Sequence, residues 1–225
     1  NDNHTQWPGA GHPGDPIFDN FIKTQVQFAG RSTEMARYAA MELLDIIGQP
    51  VILFTHSQGG GVGFGVADGR PALVAGLITV EPGGPQIGNV NTAEVAYSGR
   101  AANSWGPVNY PITYDPPISD PSELVTYLED EGDQPGEVPC YLQEEPARQL
   151  ANMTDIRVLS ISADGTYPRV FDACIPKRLN QAGVETDFVR LEDVGISGNG
   201  HMMMLELNSD DIIAFIDDWI RNNIE

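Results

Sequence analysis

The sequence predicts an α/β fold, in which helices flank a mainly parallel sheet. Four short segments rich in apolar and β-branched residues are predicted to be strands, at 51–54, 77–80, 156–161 and 186–191. Predicted helices alternate with these segments: periodic ones at 32–47 and 209–222, a helix of small residues at 59–67, and one at about 169–182 that Pro176 disturbs. Strands that alternate with helices indicate βαβ units, which build parallel sheets.

Two of these elements carry a more detailed expectation. The helix over 32–47 is predicted to have one apolar face, formed by Met35, Ala39, Leu43 and Ile46. The run Val51-Ile52-Leu53-Phe54 is continuously apolar, which is typical of a strand buried on both faces of a sheet.

Residues 85–150 interrupt this regular alternation. They hold many of the prolines and most of the tyrosines, together with one predicted short helix near 121–130. We interpret 85–150 as an inserted cap or lid on a core formed by 1–84 and 151–225. The rings of Trp105, Tyr110 and Tyr114 either line a substrate pocket or pack inside this insertion, and the sequence leaves both open.

Charge excludes several classes of partner. Twelve basic and 32 acidic residues give a net charge of −20. Nucleic acids and anionic membrane surfaces are therefore not expected as partners, because they would be repelled. No run of apolar residues is long enough for a membrane span. The polar start at Asn1–His4 is expected of a mature or processed chain.

The two cysteines, Cys140 and Cys174, lack metal-ligand spacing and are predicted to form a disulfide, with two separate buried thiols as the alternative. Two sequons, at Asn3 and Asn152, predict glycosylation. Together with the acidic composition, these features indicate a secreted glycoprotein.

The segment Thr55-His56-Ser57-Gln58-Gly59-Gly60 joins a predicted strand to a helix of small residues. This context matches a nucleophile elbow, in which a sharp turn holds the serine in a strained backbone conformation and small flanking residues avoid a clash. Ser57 is the predicted nucleophile, and the backbone N–H of Gln58 is the predicted oxyanion donor. The alternative is an ordinary strand–helix turn with a capping serine.

A serine nucleophile needs a general base, usually histidine, and the chain has four. His56 is predicted to point away from Ser57, and His4 and His12 lie in the leading loop. His201 follows the last predicted strand, at the carboxyl end of the sheet, and is the predicted base.

The base needs a carboxylate that orients its imidazole. Two acids follow predicted strands at the same edge of the sheet: Glu81 and Asp164. The residues alone leave this choice open.

The three motifs around Ser57, Val80-Glu81-Pro82-Gly83-Gly84-Pro85 and Gly198-Asn199-Gly200-His201 resemble the α/β-hydrolase superfamily over nearly the whole chain outside the insertion. They are similar to those of secreted bacterial and fungal esterases whose acid is a glutamate. The resemblance implies a Ser57–His201–Glu81 triad, with Asp164 as second candidate. It also implies hydrolysis of carboxylic esters through an acyl-enzyme, without a metal or cofactor.

Two other functional classes stay open at this point. The same triad could cleave lactones, thioesters or amides, and the fold could serve a non-catalytic binding protein.

The superfamily's usual sheet has eight strands with the nucleophile after the fifth, so this chain is expected to hold only the fifth to the eighth. Val51–Phe54 would then be an exposed apolar edge. The second oxyanion donor normally follows the third strand. We therefore expect a separate N-terminal chain, released from a processed precursor, to supply the missing strands and this donor. The alternative is an edge covered by residues 1–47 or by a second copy.

Overall fold

The computed structural model describes residues 2–27, 30, 32–83, 89–98 and 103–224. The helices are α1 (Pro16–Thr24), α2 (Ser32–Ile47), α3 (Gly59–Gly69), α4 (Cys174–Gln181) and α5 (Ser209–Asn223). The strands are β1 (Val51–His56), β2 (Val74–Val80), β3 (Asn89–Asn91), β4 (Ala96–Ser98), β5 (Thr126–Leu128), β6 (Tyr141–Gln143), β7 (Arg157–Ser162) and β8 (Thr186–Arg190).

The chain divides into two compact units. Unit 1 comprises Asn1–Ser32, Ala163–Tyr167 and Arg190–Glu225. Unit 2 comprises Thr33–Ser162 and Pro168–Val189.

The main sheet has the strand order β1-β2-β7-β8, and β2 pairs in parallel with both β1 and β7. This confirms the predicted α/β class. In the register of the sheet, His56 lies beside Val80, and Val80 lies beside Ile161. The carboxyl ends of three strands therefore meet at one edge, where the next residues of the chain include Ser57 and Glu81.

Strand β1 lies at the edge of this sheet among the described residues. Phe54 is 50% exposed, and the other residues of β1 are half-buried. The expectation that Val51–Phe54 is buried on both faces is therefore wrong, because an edge strand has only one neighbour to cover it. The central strand β2, by contrast, is buried along almost its whole length.

Helix α2 has the predicted bounds but buries a different face. Met41 and Leu44 are buried and pack into the core of unit 2. The predicted apolar face is exposed instead, at Met35, Ala39, Leu43 and Ile46. The helix carries two apolar stripes, and periodicity alone does not tell which one meets the core.

The segment between β2 and β7 forms two antiparallel hairpins, β3–β4 and β5–β6. The predicted helix near 121–130 is wrong. A single 3₁₀ turn at Pro121–Glu123 ends there, because the following Val125, Thr126 and Tyr127 favour extended structure, and β5 begins. The lid assignment of 85–150 stays a prediction.

The aromatic rings of this segment pack inside unit 2. Tyr110 and Tyr114 are buried in the same hydrophobic cluster as Leu77 of the central strand, and Trp105 packs against it. The Tyr110 hydroxyl donates to the carbonyl of Gly61, and the Tyr114 hydroxyl donates to that of Trp105 at 2.9 Å. Burial raises the pKa of both phenols to about 12. The rings of Trp105, Tyr110 and Tyr114 therefore pack in the hydrophobic core of unit 2.

The predicted disulfide between Cys140 and Cys174 is present and joins residues 34 positions apart. It lies in a small hydrophobic cluster with Val138 and Phe171. The bridge ties the β5–β6 region to the first residue of α4.

Helix α3 approaches its neighbours through glycines. A Cβ atom at Gly63 would lie 2.7 Å from the Thr55 Cγ2 atom, and one at Gly60 would lie 2.5 Å from the Pro82 Cβ atom. At Gly59 the nearest side-chain atom would be 3.9 Å away, an ordinary contact. The close approaches are therefore at Gly60, which faces the turn after β2, and at Gly63, which faces β1, and not at Gly59, the second residue after Ser57.

The substitution Gly63→Ala should destabilise the protein relative to Gly59→Ala. Both substitutions remove a helical glycine, but only Gly63→Ala overpacks the contact with Thr55, at a cost of about 1–3 kcal/mol. Urea unfolding of the two variants measures the difference. Equal unfolding midpoints would contradict the close approach at Gly63.

Removal of the disulfide by Cys140→Ser with Cys174→Ser should lower the free energy of unfolding by about 3–4 kcal/mol, the chain-entropy value for a loop of this length. Thermal unfolding of the variant and of the reduced wild type measures this loss. An unchanged melting temperature in both would show that the bridge does not constrain the unfolded chain.

Candidate active site

Ser57 is the first residue after β1, and its φ of +52° lies in the left-handed region that non-glycine residues rarely occupy. The Ser57 N–H donates to the Val80 carbonyl at 3.0 Å. The Ser57 carbonyl accepts from the N–H groups of Gly60 at 2.9 Å and Gly83 at 2.8 Å. These bonds hold the strained turn that the sequence predicts, at the start of α3 where backbone N–H groups converge.

Glu81 occupies the corresponding position on the neighbouring strand, as the first residue after β2. Its φ is +43°, and it is only 3% exposed. The Glu81 N–H donates to the Ile161 carbonyl at 2.9 Å. Two strained, non-glycine residues therefore follow two adjacent parallel strands, and such strain concentrates at functional sites.

Asp164 lies in unit 1 and binds backbone groups of the loop that precedes His201. Its Oδ1 atom accepts from the N–H of Gly198 at 2.9 Å and from that of Asn199 at 3.3 Å. The Gly165 N–H also donates to the Asn199 carbonyl at 2.9 Å. These contacts give Asp164 a loop-organising position.

His201 lies in the same unit, and its ring is 4.9 Å from that of Tyr167 between centroids. The structure thus places Ser57, Gln58 and Glu81 in unit 2, and His201 and Asp164 in unit 1.

Sequence reasoning missed a buried carboxylate next to His201. Glu206 accepts from the backbone N–H of Gly200, from the Asn199 side-chain amide and from the His4 ring. No spacing or motif in the sequence connects His4 with Glu206, because they are 202 positions apart.

A cavity of about 590 Å³ in unit 1 opens beside His201. Trp7 and Phe21, which pack edge to face with centroids 5.6 Å apart, belong to its wall. Phe18 and Tyr167 also line it, and among the residues that the structure describes no Lys or Arg lines this cavity. The volume is in the range of small-molecule sites, and the lining suits an apolar group.

The two sequons differ in their surroundings. The Asn152 Nδ2 atom, to which a glycan would be attached, donates to the Asp68 carbonyl at 2.9 Å and to its Oδ1 atom at 3.2 Å. Attachment there would displace these bonds, whereas Asn3 is exposed. Glycosylation of either residue stays a prediction.

Within the described parts of the chain, no group of three or more His, Cys, Asp or Glu side chains is arranged to hold a metal ion. Over the same residues, no helix has the length and apolar character needed to cross a membrane.

No protein-family model matches the chain. It is 38% identical over 222 residues, or 97% of its length, to a protein named probable secreted lipase phiG from Fungal sp. (strain ATCC 74256). The chain spans only 59% of that relative. Because the relative is itself longer than this chain, the comparison does not support the expected separate N-terminal chain.

The structure is similar to that of a bacterial esterase, with a TM-score of 0.56 and 19% sequence identity. The similarity covers 93% of this chain and 50% of the esterase. Among other solved structures, a hydrolase from Thermoplasma acidophilum matches with a TM-score of 0.44 and 13% identity. The parallel sheet, the turn at Ser57 and the likeness to the esterase show that this chain has the α/β-hydrolase fold.

Proposed function

We propose that this chain carries the catalytic residues of a secreted serine hydrolase that cleaves carboxylic esters through an acyl-enzyme. The conformation of Ser57 is the observation that carries the proposal. A φ of +52° at the junction of a strand and a helix costs free energy, and strain of this kind concentrates at functional sites, which supports a role for the Ser57 side chain. The elbow presents the Ser57 hydroxyl at the carboxyl end of the sheet.

The other roles follow from the chemistry of acyl transfer. His201 takes the proton of the Ser57 hydroxyl, which attacks the ester carbonyl. The Gln58 N–H, at the start of α3, stabilises the oxyanion. When the C–O bond of the ester breaks, the leaving alcohol takes the proton from His201 and the acyl group stays on Ser57. His201 then takes a proton from the water that attacks the acyl-enzyme, and returns this proton to Ser57 as the carboxylic acid is released. A second oxyanion donor is not assigned within this chain.

Glu81 is our proposed partner of His201. It is buried at the end of the strand next to that of Ser57, and its backbone is strained in the same way. Asp164 is less suited to the role, because its Oδ1 atom already accepts two backbone N–H groups.

The substrate class and location rest on two observations. The relative that shares 38% identity is named a probable secreted lipase, and the cavity beside His201 has an aromatic wall, with no Lys or Arg among the described residues that line it. An uncharged ester with an apolar group fits this cavity. The disulfide is consistent with an oxidising, extracellular environment.

The variant Ser57→Ala should lose both ester hydrolysis and labelling by a fluorophosphonate, because the acyl-enzyme cannot form. Ser98→Ala, which changes an exposed serine on β4, should keep both and serves as the control. Rates on matched ester, lactone, thioester and amide substrates identify the preferred bond. Labelling that persists in Ser57→Ala would refute the assignment, and a wild type that is neither labelled nor active would favour a binding protein.

The variant Glu81→Gln should lower kcat by on the order of 10⁴, because a neutral amide no longer fixes the imidazole tautomer or balances its charge. Asp164→Asn should reduce kcat less than tenfold, because the amide oxygen can still accept both backbone N–H groups. Steady-state kinetics on folded protein compares the two. The opposite order of losses would assign the acid to Asp164.

A further inference from the structure

The Glu206 carboxylate is buried and accepts hydrogen bonds from the peptide directly before the predicted base. The exposed fraction of its side chain is 0%. Both oxygens accept from the Gly200 N–H, at 3.0 and 3.1 Å, and Oε2 also accepts from the Asn199 Nδ2 atom at 2.8 Å. Burial of a carboxylate costs free energy unless hydrogen-bond donors compensate it. Here the Gly200 N–H, in the peptide before His201, is one of these donors and binds both oxygens.

His4 supplies the remaining donor. Its Nε2 atom lies 2.6 Å from Glu206 Oε1. Because the Glu206 oxygens accept from the neighbouring N–H groups, we assign the His4 Nε2 atom as the donor of this bond. The ring also fills the space beside Gly200, where an added Cβ atom would lie 2.8 Å from it. His4 therefore closes the pocket of Glu206 and packs against the backbone next to His201.

The same loop has further hydrogen bonds to the segment that follows His4 and to Asn208. The Gly198 carbonyl accepts from the N–H groups of Thr5 at 2.8 Å and Gln6 at 2.9 Å. The Asn199 side chain, itself fully buried, exchanges hydrogen bonds with Asn208 at 2.6 and 3.0 Å. Residues 198–200 thus have few unsatisfied backbone groups and little freedom to shift.

We propose that Glu206 and His4 form a positioning pair that fixes the backbone before His201 and thereby holds its imidazole in the reactive place. The proposal rests on the proposed role of His201 as the base. Both residues act on His201 through the Gly200 peptide, whose N–H donates to Glu206, although the His4 ring also lines the cavity beside His201. A displacement of about 1 Å in a catalytic group can cost on the order of 10²-fold in rate, so a loosened loop should be visible in kcat.

The test uses Glu206→Gln, His4→Leu and His4→Gln in the intact protein, with Asp210→Asn as the control for loss of an exposed carboxylate. In Glu206→Gln, the new amide NH2 group faces hydrogen-bond donors instead of accepting from them. In His4→Leu, Glu206 loses the hydrogen bond that the His4 ring donates. Both should lower kcat per fluorophosphonate-titrated site by about 10–100-fold with KM changed by less than about threefold. His4→Gln places an amide N–H near the original Nε2 position and should restore kcat to within about threefold.

Hydrogen exchange of the 198–202 backbone amides gives a readout independent of turnover. Exchange should speed up in Glu206→Gln and His4→Leu and return to the wild-type rate in His4→Gln. Unchanged kcat per titrated site with a lowered melting temperature would show a merely structural role and overturn the proposal, as would unchanged exchange. If the wild type is neither labelled nor active, the proposed function fails, whereas the exchange data still show whether the pair orders the loop.

Discussion

The close contact between the turn after β1 and the turn after β2 is the constraint on which the rest of unit 2 depends. The Ser57 carbonyl accepts from the Gly83 N–H, and Gly60 lies against Pro82 with no room for a side chain. The parallel register of β1 and β2 places both turns at the same height. Backbone hydrogen bonds to neighbouring residues therefore stabilise the left-handed conformations of Ser57 and Glu81.

The acidic residues of this chain serve more than one purpose. Most lie on the surface and give the large negative charge, which suits solubility more than recognition of an anion. Asp164 and Glu206, however, bind backbone N–H groups of the same short loop, residues 198–200. A loop without regular structure needs such acceptors, because its N–H groups have no strand or helix partner. The two carboxylates thus accept the backbone N–H groups of this loop, as the Val80 carbonyl of the sheet accepts the Ser57 N–H.

The sequence was informative wherever a feature depends on near neighbours in the chain. The bounds of α2 and α5, the strands of the sheet and the strained turn at Ser57 follow from local periodicity and turn chemistry, and the structure agrees. It was less informative where neighbours in space decide. The apolar stripe of α2 that contains Met35 and Leu43 is exposed while Met41 and Leu44 are buried, because the core contacts only one of two similar stripes.

The sequence by itself determined the α/β class, the position of the proposed nucleophile and the pairing of the only two cysteines, since each follows from local pattern or from counting. Only the tertiary structure decided that Asp164 binds the loop before His201, that Tyr110 and Tyr114 pack the core, and that His4 meets Glu206. These contacts join residues far apart in the chain. No local pattern encodes them, because they depend on where the folded backbone brings each side chain.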